Sequence, residues 1–218
     1  MTAAMSGLLL ACAPGVGQRT MAGIVSYESG WKPWSIGDNT SRRSYSYGTQ
    51  GEAIVKAREL VNAGHDIDAG LAQVNSTNFR HYGLTPETAF EPCTNVRVGS
   101  DILEEAYRGA YRVNWIGRPL KDANDFYMQQ QHALIHALSA YNSGKYWSSM
   151  RYAGKVYEIA LGVRENFTSV EEPQVRAITP TEPAIVRPEK ILITHKTTPS
   201  ATSILVNGTT DSWSTRNP

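Results

Sequence analysis

The chain has 218 residues, of which 41% are hydrophobic, and a formal net charge of +1. That length holds one ordinary domain with an appendage, or two small domains, and the hydrophobic content supplies a sizeable core. Near-neutral charge without a basic run argues against nucleic acid or anionic membrane as a main partner, and no stretch reaches the ~18 consecutive apolar residues of a membrane span.

The first residues, "MTAAMSGLLLACAPG", carry a short apolar run and small residues before Cys12, without the Lys or Arg of a signal-peptide n-region. Residues 1–11 are therefore read as a short leader or extension, and the missing export features argue against lipidation at Cys12 despite the "LLAC" pattern. The only other cysteine is Cys93. Two cysteines fit either one disulfide in an oxidising compartment or two buried thiols.

A helix is predicted over 18–29, because Met21, Ile24 and Val25 recur at the offsets of one helical face. Glu28 occupies the next position of that face. An acid pointing at the core has its charged form disfavoured, which raises its pKa and suits a general acid. The competing reading is a solvated or Arg-paired carboxylate at a helix end. The segment "WSIGDNTSRRSYSYG" then predicts a small β-hairpin or an ordered loop.

A second helix is predicted over 52–63, with Ile54, Ala57 and Val61 inward and Gly64 as its stop. "HDIDAGLAQVNS" lacks helical period, and short helical turns are expected at 77–82 and 86–90, the latter capped by Thr85. A strong helix is predicted over 98–111, with Ile102, Leu103, Ala106, Tyr107 and Ala110 on one side. Another covers 126–141, where Tyr141 ends an apolar stripe of Leu134, Ala137 and Leu138 before Gly144; a last helix covers 150–161.

Beyond Arg164 the composition changes: this segment holds six of the eleven prolines and a single glycine. Residues 164–218 read as an extended tail, broken by the β-prone runs "KILITH" and "SILVNGTT", which could pair with another protein.

Three blocks carry the chemistry: "ESGWKPWSIG" from Glu28, "GLAQVNS" from Gly70 and "ALSAYNSG" from Ala137. Their order and content resemble the lysozyme-like soluble lytic transglycosylases, and "CAP", "TMAGIVSYESGWKPWSIG", "IDAGLAQVNSTNFRHYGL" and "AFEPCTNVRVGSDILEEAY" resemble the transglycosylase subunit of type IV secretion systems. Single motifs are weak, but three in order over more than a hundred residues are specific.

The resemblance covers about 12–161 and implies a mainly α, α+β lysozyme-like domain over 12–163, with the hairpin or loop beside an active-site cleft. It implies that Glu28 is the single catalytic acid of a peptidoglycan lytic transglycosylase and that the chain works in the periplasm. Such an enzyme cleaves the bond between N-acetylmuramic acid and N-acetylglucosamine and forms a 1,6-anhydro sugar. Gln73 and Tyr141 match cleft residues of the family, the tyrosine able to donate to the carboxyl or to an N-acetyl group. Asn75 and Asn142 are candidate sugar contacts with equally good structural readings as turn and backbone caps.

Cys12 and Cys93 match cysteines of the secretion-associated branch, and the resemblance implies a bridge between them. No cofactor and no metal are expected: His132 and His136 lie one helical turn apart but off the apolar stripe, and no glutamate follows the first. Expected partners are glycan strands and, through the tail, secretion-system components. The sequence departs from the broader family at Ala72, where many members have methionine, and near Gly37, where many have serine.

Two alternatives stand beside this reading. Asp66 or Asp68 could hold a water opposite Glu28, which would make the enzyme a hydrolytic muramidase. The chain could instead be a glycan-binding assembly factor of the secretion system.

Overall fold

The computed structural model describes residues 2–115 and 117–162. The expected tail at 164–218, with its two β-prone runs, lies outside the described residues.

Among the described residues, six helices and one small sheet appear in chain order: α1 (Ala3–Cys12), α2 (Gln18–Ser29), β1 (Ser35–Asp38), β2 (Arg43–Ser46), α3 (Gln50–Asn62), β3 (Ile67–Ala69), β4 (Val74–Asn75), α4 (Pro92–Trp115), α5 (Ala123–Ser143) and α6 (Met150–Gly162). Short 3-10 turns at Ser76–Asn78 and Thr88–Phe90 fall where helical turns are expected. The architecture is mainly α with a small antiparallel sheet, as the sequence implies.

The described residues form two hydrophobic clusters. In the larger, Leu9 of α1, Met21, Ile24 and Val25 of α2, Leu103 of α4, Leu134 and Leu138 of α5 and Val156 of α6 bury one another. Gly23 allows α2 and α6 to meet closely, because a Cβ there would come within 2.8 Å of the Val156 carbonyl oxygen. The smaller cluster gathers Ile36, Ile67 and Val74 of the sheet over Ala53, Ala57 and Leu60 of α3, with Phe90 joining from the 3-10 turn at Thr88–Phe90 and Val98 from α4.

The sheet has strand order β2-β1-β3-β4, all antiparallel neighbours, so the hairpin reading of "WSIGDNTSRRSYSYG" holds for β1 and β2. Cross-strand partners share a face. One row, Tyr45, Ile36, Ala69 and Val74, turns toward α3; the adjacent row, Ser44, Gly37, Asp68 and Asn75, is polar and lies on the opposite face. Asp38 is the exception on the α3 face. Burial pushes its carboxyl up, but hydrogen bonds from Ser41 and His65 outweigh that and hold it at about 2.

The helix edges show three differences from expectation. The fully buried positions of α3 are Ala53, Ala57 and Leu60, while Ile54 and Val61 are only partly buried, so the inward face is rotated by about one residue. Helix α4 is longer than expected at both ends, because Pro92 serves as an N-terminal opener and the apolar face continues to Trp115. Helix α5 starts earlier, at Ala123, where the Asp122 carboxylate accepts from the Asp125 N–H at 2.7 Å.

The stretch read as a leader contributes to the core. Apolar Leu8 and Leu9 pack into the helical cluster from α1, Leu9 without exposed surface, and Cys12 at the end of α1 is disulfide-bonded to Cys93.

Candidate active site

Helix α2 ends one residue after Glu28. Gly30 takes the left-handed conformation at φ 58°, donating its N–H to the Ser26 carbonyl at 3.2 Å, and Trp31 follows at φ 66°. Ser29 donates its hydroxyl to the Val25 carbonyl at 3.1 Å, so it finishes the helix. Because Met21, Ile24 and Val25 are all buried, the next position of that face carries the Glu28 carboxyl into the protein.

Its partner comes from α6. The Tyr152 hydroxyl donates to Glu28 Oε1 at 2.5 Å, and the Tyr152 ring, only 5% exposed, meets Tyr27 edge-on with ring centres 4.9 Å apart. Burial raises the Glu28 pKa, the Tyr152 hydrogen bond lowers it and the Asp68 charge raises it further, leaving a value of about 7 against an ordinary 4.5. A carboxyl poised there holds a proton near neutral pH and can take one back after giving it up.

Tyr141, near the end of α5, borders the same space. Burial pushes its phenol well up, and the charges of Glu28 and Asp68 push it further. Its proton goes to the Ala72 carbonyl at 2.6 Å and not to the Glu28 carboxyl, one of the two acceptors that the resemblance allows it. Gly99 of α4 leaves room for this contact, because a Cβ there would stand 2.6 Å from Ala72 Cβ and 3.1 Å from the Tyr141 hydroxyl.

Gln73 sits at φ 47° in the turn between β3 and β4. Its side-chain N–H groups go to the carbonyls of Gly70 at 2.8 Å and Ser35 at 3.2 Å. Expected as a cleft residue, it also ties the β3–β4 turn to the start of β1. The turn is clamped from beneath by Asn95 of α4, 1% exposed, which donates to the carbonyls of Ala69 and Ala89, both at 2.8 Å, and accepts from the Ala72 N–H at 2.7 Å.

Asn75 donates to Asp66 Oδ1 at 2.7 Å and Asp68 Oδ1 at 2.8 Å while its own oxygen caps Thr77, so its hydrogen bonds hold the polar face of the sheet together. Asn142 is exposed and accepts from the Ser149 hydroxyl at 2.6 Å, across the turn that joins α5 to α6. Glu28, Tyr141 and Asp68 thus lie within electrostatic reach of one another, Gln73 lies against the strands that carry Asp68, and Asn142 secures the connection leading to Tyr152.

Tyr152 and Asn95 carried no signal as site residues in the sequence. Each acts through a contact across more than twenty residues of chain, and nothing in local periodicity marks such a partner. Elsewhere, the His132 ring lies against Trp115 and His136 Nδ1 faces the Tyr146 carbonyl at 3.0 Å. Among the described residues no group of three or more potential ligands could hold a metal, and no helix is long and apolar enough to cross a membrane.

Residues 10–155 match the family described as the transglycosylase SLT domain. The chain belongs to that family. The SLT domain here is 40% identical over 135 residues to the type IV secretion system protein virB1 of Brucella abortus, covering 62% of this chain and 52% of that protein. It is 35% identical over 135 residues to protein virB1 of Agrobacterium fabrum, covering 62% of this chain and 49% of that protein. The chain therefore spans about half the length of the curated relatives it matches. No solved structure matches the SLT domain of this chain. Glu28, Gln73, Tyr141 and Tyr152 all fall inside the matched span.

Proposed function

We propose that the chain is a peptidoglycan lytic transglycosylase that opens the cell wall locally, in the periplasm, for assembly of a type IV secretion apparatus. The observation that carries this reading is the Glu28 carboxyl, sunk at the end of α2 and held by Tyr152, with a pKa of about 7.

The chemistry follows from that one group. Protonated Glu28 donates to the bridging oxygen between N-acetylmuramic acid and N-acetylglucosamine as the bond to the anomeric carbon breaks. The acetamido oxygen of the muramoyl residue closes on the anomeric carbon and offsets its positive charge, so no protein nucleophile is needed. Glu28, now a carboxylate, takes the proton of the 6-hydroxyl, which attacks the same carbon and releases the acetamido oxygen. The product is a 1,6-anhydro sugar, formed without water.

A second reading rests on Asp68, whose charge reaches Glu28: with a water held opposite the acid, the reaction would be hydrolysis. Mass spectrometry of digested peptidoglycan separates the two, because the anhydro product is lighter by one water. Wild type should release anhydro-muropeptides and the Glu28→Gln variant none. Reducing-end products from wild type would establish the hydrolytic reading. No turnover by either protein, with glycan binding and assembly retained, would leave the chain as an assembly factor.

A further inference from the structure

Trp147 stands on the turn between α5 and α6, is 55% exposed and belongs to neither hydrophobic cluster. The turn nonetheless holds it on every side. The Ser139 hydroxyl donates to the Lys145 carbonyl at 2.9 Å and accepts from the Ser149 N–H at 2.9 Å. His136 Nδ1 lies 3.0 Å from the Tyr146 carbonyl oxygen. A carbonyl only accepts, so Nδ1 carries the hydrogen and Nε2 is left for a ligand. Tyr146 lays its hydroxyl against Gly109 of α4, where any Cβ would collide with it. The Trp147 indole then meets the His136 ring with centres 5.4 Å apart and the Tyr146 ring edge-on at 5.6 Å. A large aromatic that is fixed and still exposed has little conformational freedom left to lose on binding.

The same surface continues along α5. His132, one helical turn before His136, has its ring 5.9 Å from that of Trp115, and the Arg118 guanidinium lies 5.1 Å over the Trp115 ring. At the other end, exposed Asn142 uses its side-chain oxygen on Ser149, and its amide N–H groups have no partner among the described residues. The strip is set apart from the acid: Gly109 lies ten residues along α4 from Gly99, which abuts Tyr141, about 15 Å of helix. None of these side chains is acidic. Ring faces interleaved with imidazole, guanidinium and amide groups lack the continuous apolar centre of a protein interface. They suit a neutral ligand with flat C–H faces edged by hydroxyl and acetamido groups.

We propose that this strip, with Trp147 as its platform, binds uncut glycan of the cell wall outside the catalytic cleft and keeps the enzyme on the wall between cuts. The inference rests on the reading above that the chain acts on peptidoglycan. Sugar C–H faces stack on the indole, while the Asn142 amide and His136 Nε2 meet hydroxyl and acetamido groups. Tyr141 and Asn142 are chain neighbours, the first bordering the acid and the second tied to the turn that carries Trp147. Glycan that passes the end of α5 therefore comes to Trp147 next. No bond is made or broken there, so the strip acts on affinity for long glycan and leaves kcat unchanged.

The experiment uses the full chain with purified wall sacculi and with a tetrasaccharide of alternating N-acetylglucosamine and N-acetylmuramic acid, which puts two sugars on each side of the cut bond. Binding to sacculi is read by co-sedimentation in the Glu28→Gln background, so that the glycan stays whole. Adding Trp147→Ala should weaken that binding by about tenfold. Trp147→Phe, which keeps an aromatic face, should hold it within about threefold. With Glu28 intact, Trp147→Ala should raise KM for sacculi by about tenfold while kcat and KM for the tetrasaccharide stay within about twofold.

Sacculus binding unchanged by Trp147→Ala would overturn the proposal, and if secretion-apparatus assembly fell at the same time the strip would belong to a protein partner. Equal losses on sacculi and on the tetrasaccharide would also overturn it, since the substitution would then have disturbed the cleft through the turn. So would Trp147→Phe binding as weakly as Trp147→Ala. Sacculus binding that depends on Trp147, in a protein whose wild type cuts no peptidoglycan, would sink the transglycosylase reading and leave the platform standing.

Discussion

Tyr152 reaches across 124 residues of chain to donate its phenolic proton to Glu28 Oε1, joining the start of α6 to the end of α2 at the point where the acid enters the core. The hydrogen bond favours the charged carboxylate, so it opposes the burial that raises the pKa. Tyr152→Phe removes this opposition and, with it, the bond that orients the carboxyl. The Glu28 pKa should then rise above about 7, and the alkaline limb of the pH–rate profile should move to higher pH. Loss of the orienting bond should lower the plateau rate by roughly tenfold. A limb that stays put or moves to lower pH would show that the phenol does not set the acid's proton affinity.

Glu28→Gln removes the only proton donor the mechanism uses and should abolish lytic activity. It should also change stability with a definite sign. The acid has a folded pKa of about 7 and an ordinary one of 4.5, so its charging opposes folding progressively as pH rises from about 4.5 and fully above about 7. Thermal unfolding should therefore show the variant gaining on wild type at pH 8 relative to pH 4. Equal differences at the two pH values would contradict the buried placement of the carboxyl.

Asn95→Ala should cost about 2–4 kcal/mol, because it strands the Ala72 N–H and the carbonyls of Ala69 and Ala89, all of them partners of one buried amide. The turn carrying Gln73 loses its anchor to α4, so lytic activity should fall along with the midpoint of urea unfolding. A midpoint within experimental scatter of wild type would mean that the turn is held by its remaining contacts.

The Cys12–Cys93 bridge closes a separation of 81 residues, from the end of α1 to the first turn of α4. The loop-entropy relation gives about 4.5 kcal/mol for a loop of that length. Cys12→Ser with Cys93→Ser, or reductant added to wild type, should lower the thermal midpoint, and α1 amides should exchange faster with deuterium. Unchanged exchange in α1 would show that Leu9 and its neighbours seat the helix without the covalent tie.

Much of this was legible in the chain itself. The periods of α2, α4, α5 and α6 follow from apolar residues three and four apart, because a helix must turn a continuous stripe to the core. The same rule singled out Glu28, since an acid on such a stripe is carried inward with it. Gly144, in the left-handed conformation at φ 68°, stops α5 where a glycine stop was expected. The glutamine block and its glycine were visible as a break in period, and the bridge between Cys12 and Cys93 was implied by resemblance alone.

What needed the tertiary structure is everything that depends on which distant surfaces touch. Tyr152 lies on a helix whose own pattern is ordinary, and only the packing of α2 on α6 through Gly23 brings its hydroxyl to Glu28. The resemblance implies a Tyr141 phenol able to donate to the carboxyl or to an N-acetyl group; the packing of α5 on α4 places its proton on the Ala72 carbonyl, a contact for which bare backbone at Gly99 leaves room. The side-by-side stance of Gly37 and Asp68 comes from strand register, which is set by pairing between segments about thirty residues apart. Local periodicity decides which way a side chain points. Long-range packing decides what it meets there, and a proton's affinity belongs to that meeting.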